Sequence, residues 1–318
     1  MNVICGSWEE RCTVKYIEKH PMIMIVVGVM GISVSAIFVR YSRAPSAVTA
    51  AYRLLWTVLL MSPVMLGTKS RREELRSADR KTVISSALSG VFLAFHFALW
   101  FESLKFTSVA SSTSIVCTEV VWVALGYCIF MKGRLSGREV LAIAAALAGS
   151  FVIAWSDSSS GGGSSLYGDA LALLAAVAVA VYTLIGRAVR AKVSTGVYTY
   201  IVYVFSAAVL VLIAFVQGYS LTAYGMSGVI VGLLLAVFST LLGHSIFSWC
   251  LKYFSPAFVS ASKLCEPAAA SVIAVFLFRE IPGGLQIAGG VIILGGVLYY
   301  SRIVEQKAAG TKEHGGQQ

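Results

Sequence analysis

From Val193 to Leu251 the chain carries no Lys, Arg, Asp or Glu. No water-soluble surface of that length does without charge, and the whole chain is 13% charged and 58% hydrophobic, against about 25% charged in a soluble domain. The sequence therefore specifies an all-α polytopic membrane protein. At about 20 residues per crossing, its 318 residues hold ten transmembrane helices and little else.

Ten apolar segments follow in order: Met22 to Val39, Ala47 to Leu66, Thr82 to Leu104, Ser108 to Met131, Glu139 to Trp155, Gly168 to Arg187, Val193 to Val216, Met226 to Leu251, Ser255 to Phe278 and Gly284 to Ser301. Residues 1–20 and 303–318 are polar tails, and residues 156–167 are a Ser/Gly linker, flexible by composition, that separates a first half (21–155) from a second (168–302). Ser33-Val34-Ser35-Ala36 has the small residues of a signal-peptidase site, but the first span is needed by the repeat described below, so it is read as a span. Alternate connections hold 19 and 4 of the Lys and Arg residues, which places both termini in the cytoplasm. The net charge of +10 is then the mark of that bias. Its natural partner is a bilayer with anionic headgroups, and it calls for no nucleic acid.

Sliding the sequence by 147 residues without a gap aligns Arg40 with Arg187, Leu104-Lys105 with Leu251-Lys252, Ser108 with Ser255, Ala110 with Ala257, Glu119 with Glu266, Gly137 with Gly284 and Gly149 with Gly296. One register holds across a half, and the shift equals five spans plus the linker. Five is odd, so the halves enter the membrane in opposite senses. Inverted repeats are an architecture of secondary transporters, whose substrate sites lie near the midplane at the repeat interface. Two such halves rocking about that site would give alternating access.

The repeat points to a site. Glu119 and Glu266 each lie about 16 Å into their spans at 1.5 Å per residue, near midplane, where charge is expensive and normally faces a cavity or a partner. Lys263 and Glu266 are three apart, so on a helix they share a face and can partly neutralise one another; Pro267 then removes a backbone donor. His96 and His244 are one position from equivalence, and a histidine both binds ligands and changes charge near neutral pH. Phe92, Phe95, Trp100, Trp122, Tyr182 and Phe247 supply an apolar lining for an amphipathic small-molecule substrate. Arg53, inside the second span, is placed to anchor a carboxylate or to pair with a buried Glu. Structural alternatives stand beside these roles: Glu119 as partner of Arg53 or Lys263, and Lys263 and Glu266 satisfying each other. Trp155, Trp249, Tyr253, Tyr299 and Tyr300 read as an interfacial belt, Glu102 as solvated, and Gly289, Gly290, Gly295, Gly296 and the Ala145/Gly149 pair as close-packing positions. The six cysteines show no metal-ligand spacing. No GxxxxGK followed by Ser or Thr is present, so ATP hydrolysis would need another subunit, and no cofactor is expected.

Cys265-Glu266-Pro267, the apolar run to Arg279-Glu280 and a last helix with Gln286, Gly289 and Gly295-Gly296 resemble the closing motif of the EamA family of the drug/metabolite transporter superfamily. The resemblance covers Pro21 to Arg302. It implies a bacterial inner-membrane, multi-pass carrier, often an exporter of amino acids or related metabolites, with a cavity lined by spans 1, 3, 4, 6, 8 and 9. Carried onto this chain, that lining is His96, Trp100, Glu119, Tyr182, His244 and Glu266. Glu119 rests on the internal repeat alone, since Val120 follows it where the family has a proline. The expectation is an exporter and not an enzyme; the rivals are a membrane-embedded enzyme and a channel-like facilitator. Proton coupling through Glu266, Glu119 or His96 and uncoupled exchange fit the sequence equally, as do a monomer and a homodimer.

Overall fold

The computed structural model describes residues 21–107, 109–158, 166–278 and 283–315, and every regular element among them is helical. The N-terminal tail with Cys5 and Cys12, the linker core and Arg279-Glu280 lie outside the described residues. Among the described residues, nine helices are long and apolar enough to cross a membrane: Pro21–Arg40, Ser46–Gly67, Arg80–Ser103, Ser111–Phe130, Gly137–Ser156, Leu166–Arg190, Thr195–Val216, Gly225–Cys250 and Gly284–Lys307. The remaining segment of the ten expected is divided into Pro256–Lys263 and Glu266–Phe278.

The local chemistry of that division is explicit. Ser255 caps the first piece by accepting from the Phe258 amide, with Pro256 in the first turn where no intrahelical donor is needed. The helix then tightens into i→i−3 bonds, Leu264 to Ala261 and Cys265 to Ser262, and Pro267 falls in the first turn of the second piece. The repeat-related fourth span breaks at the same place, into Val109–Cys117 and Glu119–Phe130. It has no proline there; the Thr118 hydroxyl donates to the Ile115 carbonyl at 2.6 Å and the chain takes the same i→i−3 turn. Both glutamates thus open a second half-helix. The expectation that Lys263 and Glu266 share one continuous helical face is overturned, because one helix ends at Lys263 and the next begins at Glu266.

The eighth span is irregular too. Its middle, Leu235–His244, is π-helical, and hydroxyls patch the wide turn: Thr240 donates to the Leu235 carbonyl at 3.2 Å and Ser245 to the Thr240 carbonyl at 3.1 Å.

The spans pack across the two sequence halves. The third lies against the sixth, the second against the seventh, the first against the π-helical stretch, and the fifth against the tenth. The core accordingly forms two large clusters, each drawn from both halves. One joins residues of spans 1, 4, 5, 9 and 10 with the end of span 8; the other joins spans 2, 3, 6 and 7 with its beginning and with Ala36 near the end of span 1. The halves are therefore not the packing units that the linker suggests. Small residues explain why: a Cβ on Gly149 would stand 2.6 Å from the Gly289 carbonyl oxygen, and one on Gly296 would stand 2.9 Å from that of Ala142, so the fifth and tenth spans cross backbone to backbone. Gly295 meets nothing within 4 Å and takes no part in this crossing.

One polar link fastens the loop after the second span. The short helix Lys69–Ser77 presents Glu74, which accepts from both the amide (2.7 Å) and the hydroxyl (2.8 Å) of Ser194, the N-cap of the seventh span. Lys307 in the last helix reaches Glu139 at 2.7 Å.

Candidate substrate cavity

The half-helix breaks and the π-helical stretch meet at a cavity of about 30 Å³, lined by Ile32, Ser35, Arg53, His96, Trp100, Thr113, Val116, Glu119, Val179, His244, Lys263 and Glu266. It lies at the seam between the two core clusters, with Ile32 from one and Trp100 and Val179 from the other. The volume suits one or two water-sized groups, so a metabolite enters only if the walls separate.

Of the sequence-derived site residues, Arg53, His96, Trp100, Glu119, His244, Lys263 and Glu266 are brought together here. Tyr182 stands outside the lining. Its hydroxyl shares a hydrogen bond with Ser248 at 2.7 Å, and its ring lies 6.3 Å from that of His244. Phe95 and Trp122 do not line the cavity: they are 45% and 39% exposed on the outer surface. Each neighbours an inward residue but is turned off its face. His96 takes the inward position beside Phe95, and the fully buried Val120 and Val123 hold the inward stripe around Trp122. The second span, through Arg53, joins the lining in addition to the spans implied by the family resemblance.

Sequence reasoning missed Ile32, Ser35, Thr113, Val116 and Val179. The repeat register would have reached two of them from residues already in hand, Val116 from Lys263 and Ser35 from Tyr182, and Ile32 and Val179 are themselves 147 apart, as are Glu119 and Glu266. The cavity is therefore built about the pseudo-twofold relating the halves.

Its charges are unequally satisfied. Lys263 Nζ donates to Glu119 Oε1 at 2.8 Å, with side chains 9% and 4% exposed, so Glu119 takes the structural partner that the sequence allowed and Lys263 does not pair with Glu266. Arg53 is 0% exposed and makes no ion pair among the described residues. Its Nε donates to the Thr240 hydroxyl at 2.7 Å and its Nη1 to that of Ser35 at 3.4 Å, while the guanidinium carbon sits 4.0 Å from the Phe97 ring centroid. Its Nη2 has no partner. The same is true of Trp100 Nε1, Thr113 Oγ1 and His244 Nδ1, all buried and all belonging to residues of this lining. His96 Nδ1 lies 3.0 Å from the Ala175 carbonyl, to which it donates, and the ring stacks on Trp100 at 5.9 Å. Buried polar atoms are normally paired, and four unpaired ones around one cavity make a wall ready to accept a polar solute.

A second, larger cavity of about 300 Å³ lies beyond it, lined by Arg40, Ser42, Ser46, Thr49, Phe101 and Lys105 among others. Phe101 borders this vestibule and the adjacent Trp100 borders the small cavity. Toward the other end of the bundle, Arg187 binds the carbonyls of Leu251 and Phe254, and Arg190 Nε donates to that of Ser248 at 3.2 Å.

The sequence matches the EamA-like transporter family over residues 20–155 and 166–302. An uncharacterized transporter of Clostridium kluyveri is 24% identical over 233 residues, covering 71% of this chain and 74% of the relative. A protein of known crystal structure superposes with a TM-score of 0.71 over 91% of this chain and 98% of its own, at 17% identity, which establishes a shared fold.

Proposed function

The chain belongs to the EamA-like transporter family, and on that premise we propose that it exports a small amphipathic metabolite, an amino acid foremost, by alternating access across the plasma membrane. That it is a multi-pass membrane transporter follows from the family and the spans; substrate class, direction and mechanism are the proposal. The observation that carries it is the cluster of four partnerless buried polar atoms around a cavity at the seam of two core clusters. His96, Trp100, Glu119, His244 and Glu266 contact the solute when the seam opens, and Tyr182 supports His244 from behind.

With both termini cytoplasmic, the 300 Å³ vestibule bearing Arg40 and Lys105 faces outward. Trp100 and Phe101 then form the layer between vestibule and site, and the Arg187 and Arg190 contacts close the inner end. The moving bodies are the two mixed clusters, in place of the two sequence halves, because the cavity lies between the former. Uptake of radiolabelled amino acids, nucleosides and amines into proteoliposomes holding the purified chain, with and without an imposed proton gradient, tests the reading. Saturable uptake of one solute class is expected, and acceleration by the gradient would mark coupling. Retention of no solute above protein-free vesicles would refute a carrier.

A further inference from the structure

The cavity contains two cations and two carboxylates, and the repeat explains why only one pair is closed. Glu119 meets Lys263 at 2.8 Å. The mirror of that contact would join Glu266 to residue 116, but residue 116 is Val116, which lines the same cavity. Glu266 accordingly has no ion pair or side-chain hydrogen bond among the described residues. Arg53 breaks the symmetry as well: its counterpart 147 residues on is Tyr200, whose hydroxyl shares a hydrogen bond with Ser62 at 3.0 Å away from the cavity. The bonds Arg53 does make are to neutral hydroxyls, and Nη2 is left over. The two leftover charges line one cavity, yet no ion pair within 4.0 Å joins them.

Resting on the carrier reading, we propose that Arg53 and Glu266 are a dipolar pair that receives the carboxylate and the ammonium of one zwitterionic solute, with Lys263–Glu119 as a closed neutral element beside them. A lone amine leaves the buried Arg53 without a counter-charge, and a lone acid leaves the half-buried Glu266 without one; at this depth both are unfavourable. A zwitterion satisfies both at once. The planar guanidinium, already tied at Nε and Nη1, offers its free nitrogen to a carboxylate with little further loss of freedom.

The test uses the full chain in proteoliposomes and two scaffolds, leucine and phenylalanine. Each is supplied in four forms: the amino acid, its amide, the amine lacking the carboxyl group, and the acid lacking the amino group. The amino acids are expected to be taken up at least about tenfold faster than their three analogues at equal concentration, the factor that one lost charge-assisted hydrogen bond gives. Amides or amines carried as fast as the amino acids would overturn the dipolar pair while leaving a carrier. Nucleosides carried with neither amino acid would do the same. Uptake of nothing would remove the carrier reading and this inference together. In Arg53→Lys, which keeps charge but not the fork, the preference for amino acid over amine should fall to a few-fold; an unchanged preference in a folded variant would overturn the role of Arg53. Should that variant fail to fold, the wild-type ratios decide.

Discussion

Replacing Lys263 with Met keeps the length of the stem and removes the ammonium, stranding Glu119 in a site where its side chain is 4% exposed. At 2.8 Å the attraction lost is roughly 6 kcal/mol for an effective dielectric of about 20. The desolvation that the ammonium no longer suffers offsets part of this, and breaking such a pair from one side costs about 3–5 kcal/mol. Glu119→Leu alone strands the lysine and should cost a similar amount. The double variant Lys263→Met/Glu119→Leu removes both charges and should return to within about 1 kcal/mol of the parent, since apolar replacement of a whole buried pair is near neutral. Unfolding of the purified chain in mixed micelles by titrated SDS measures all four corners of the cycle. Single variants that each lose under about 1 kcal/mol, or a double variant whose loss is the sum of the singles, would refute the claim that this ion pair is closed and buried.

Glu266→Gln should fold normally and lower amino acid uptake in proteoliposomes at least about tenfold; uptake unchanged in rate and pH dependence would remove Glu266 from the site. Val116→Lys supplies Glu266 with the mirror image of Lys263, and transport should fall by a similar factor while the SDS midpoint holds. Gly289→Leu places a Cβ where 2.7 Å separates it from the Gly149 carbonyl oxygen and should destabilise by about 1–3 kcal/mol or more, whereas Gly295→Leu, facing open space, should be neutral in the same unfolding titration. Glu74→Ala removes two of the three side-chain bonds from the loop helix to Ser194, leaving that of Arg71, and trypsin should cut within residues 69–81 about fivefold faster in the purified chain in detergent, the factor given by ~1 kcal/mol of lost hydrogen bonding; unchanged cleavage would show that the Glu74 link holds nothing in place.

Span limits were readable because apolar runs end in charges and caps; Ser46–Gly67 and Thr195–Val216 lie within two residues of the sequence assignment. The break before Glu266 was foreshadowed by Pro267. The break before Glu119 was not, because it depends on which carbonyl a threonine hydroxyl chooses. No residue pattern announces a π-helix, and that stretch accounts for the one-position mismatch of the histidines: i→i+5 winding turns each residue through a smaller angle than the α-helix does, so His244 faces the cavity where the register would put Gly243. Arg53 was recognised as a buried cation, but its partners, Thr240 and Ser35, come from spans that only the tertiary fold brings near. The two-cluster core was illegible for the same reason, since apolar patterning says which face is buried and not against which neighbour.

The interleaving of the halves also bears on how the protein is made. The two members of the Lys263–Glu119 pair are 144 residues apart. At 5–20 residues per second of synthesis, the carboxyl group in the fourth span waits roughly 7–30 seconds for its ammonium. The third span waits likewise for the sixth, and the second for the seventh. A ribosome-bound chain of five spans can thus be inserted but only partly packed, through contacts such as the Ser114 hydroxyl on the Ser150 carbonyl at 3.0 Å, with the small-residue face of its fifth span left open until the inverted half arrives.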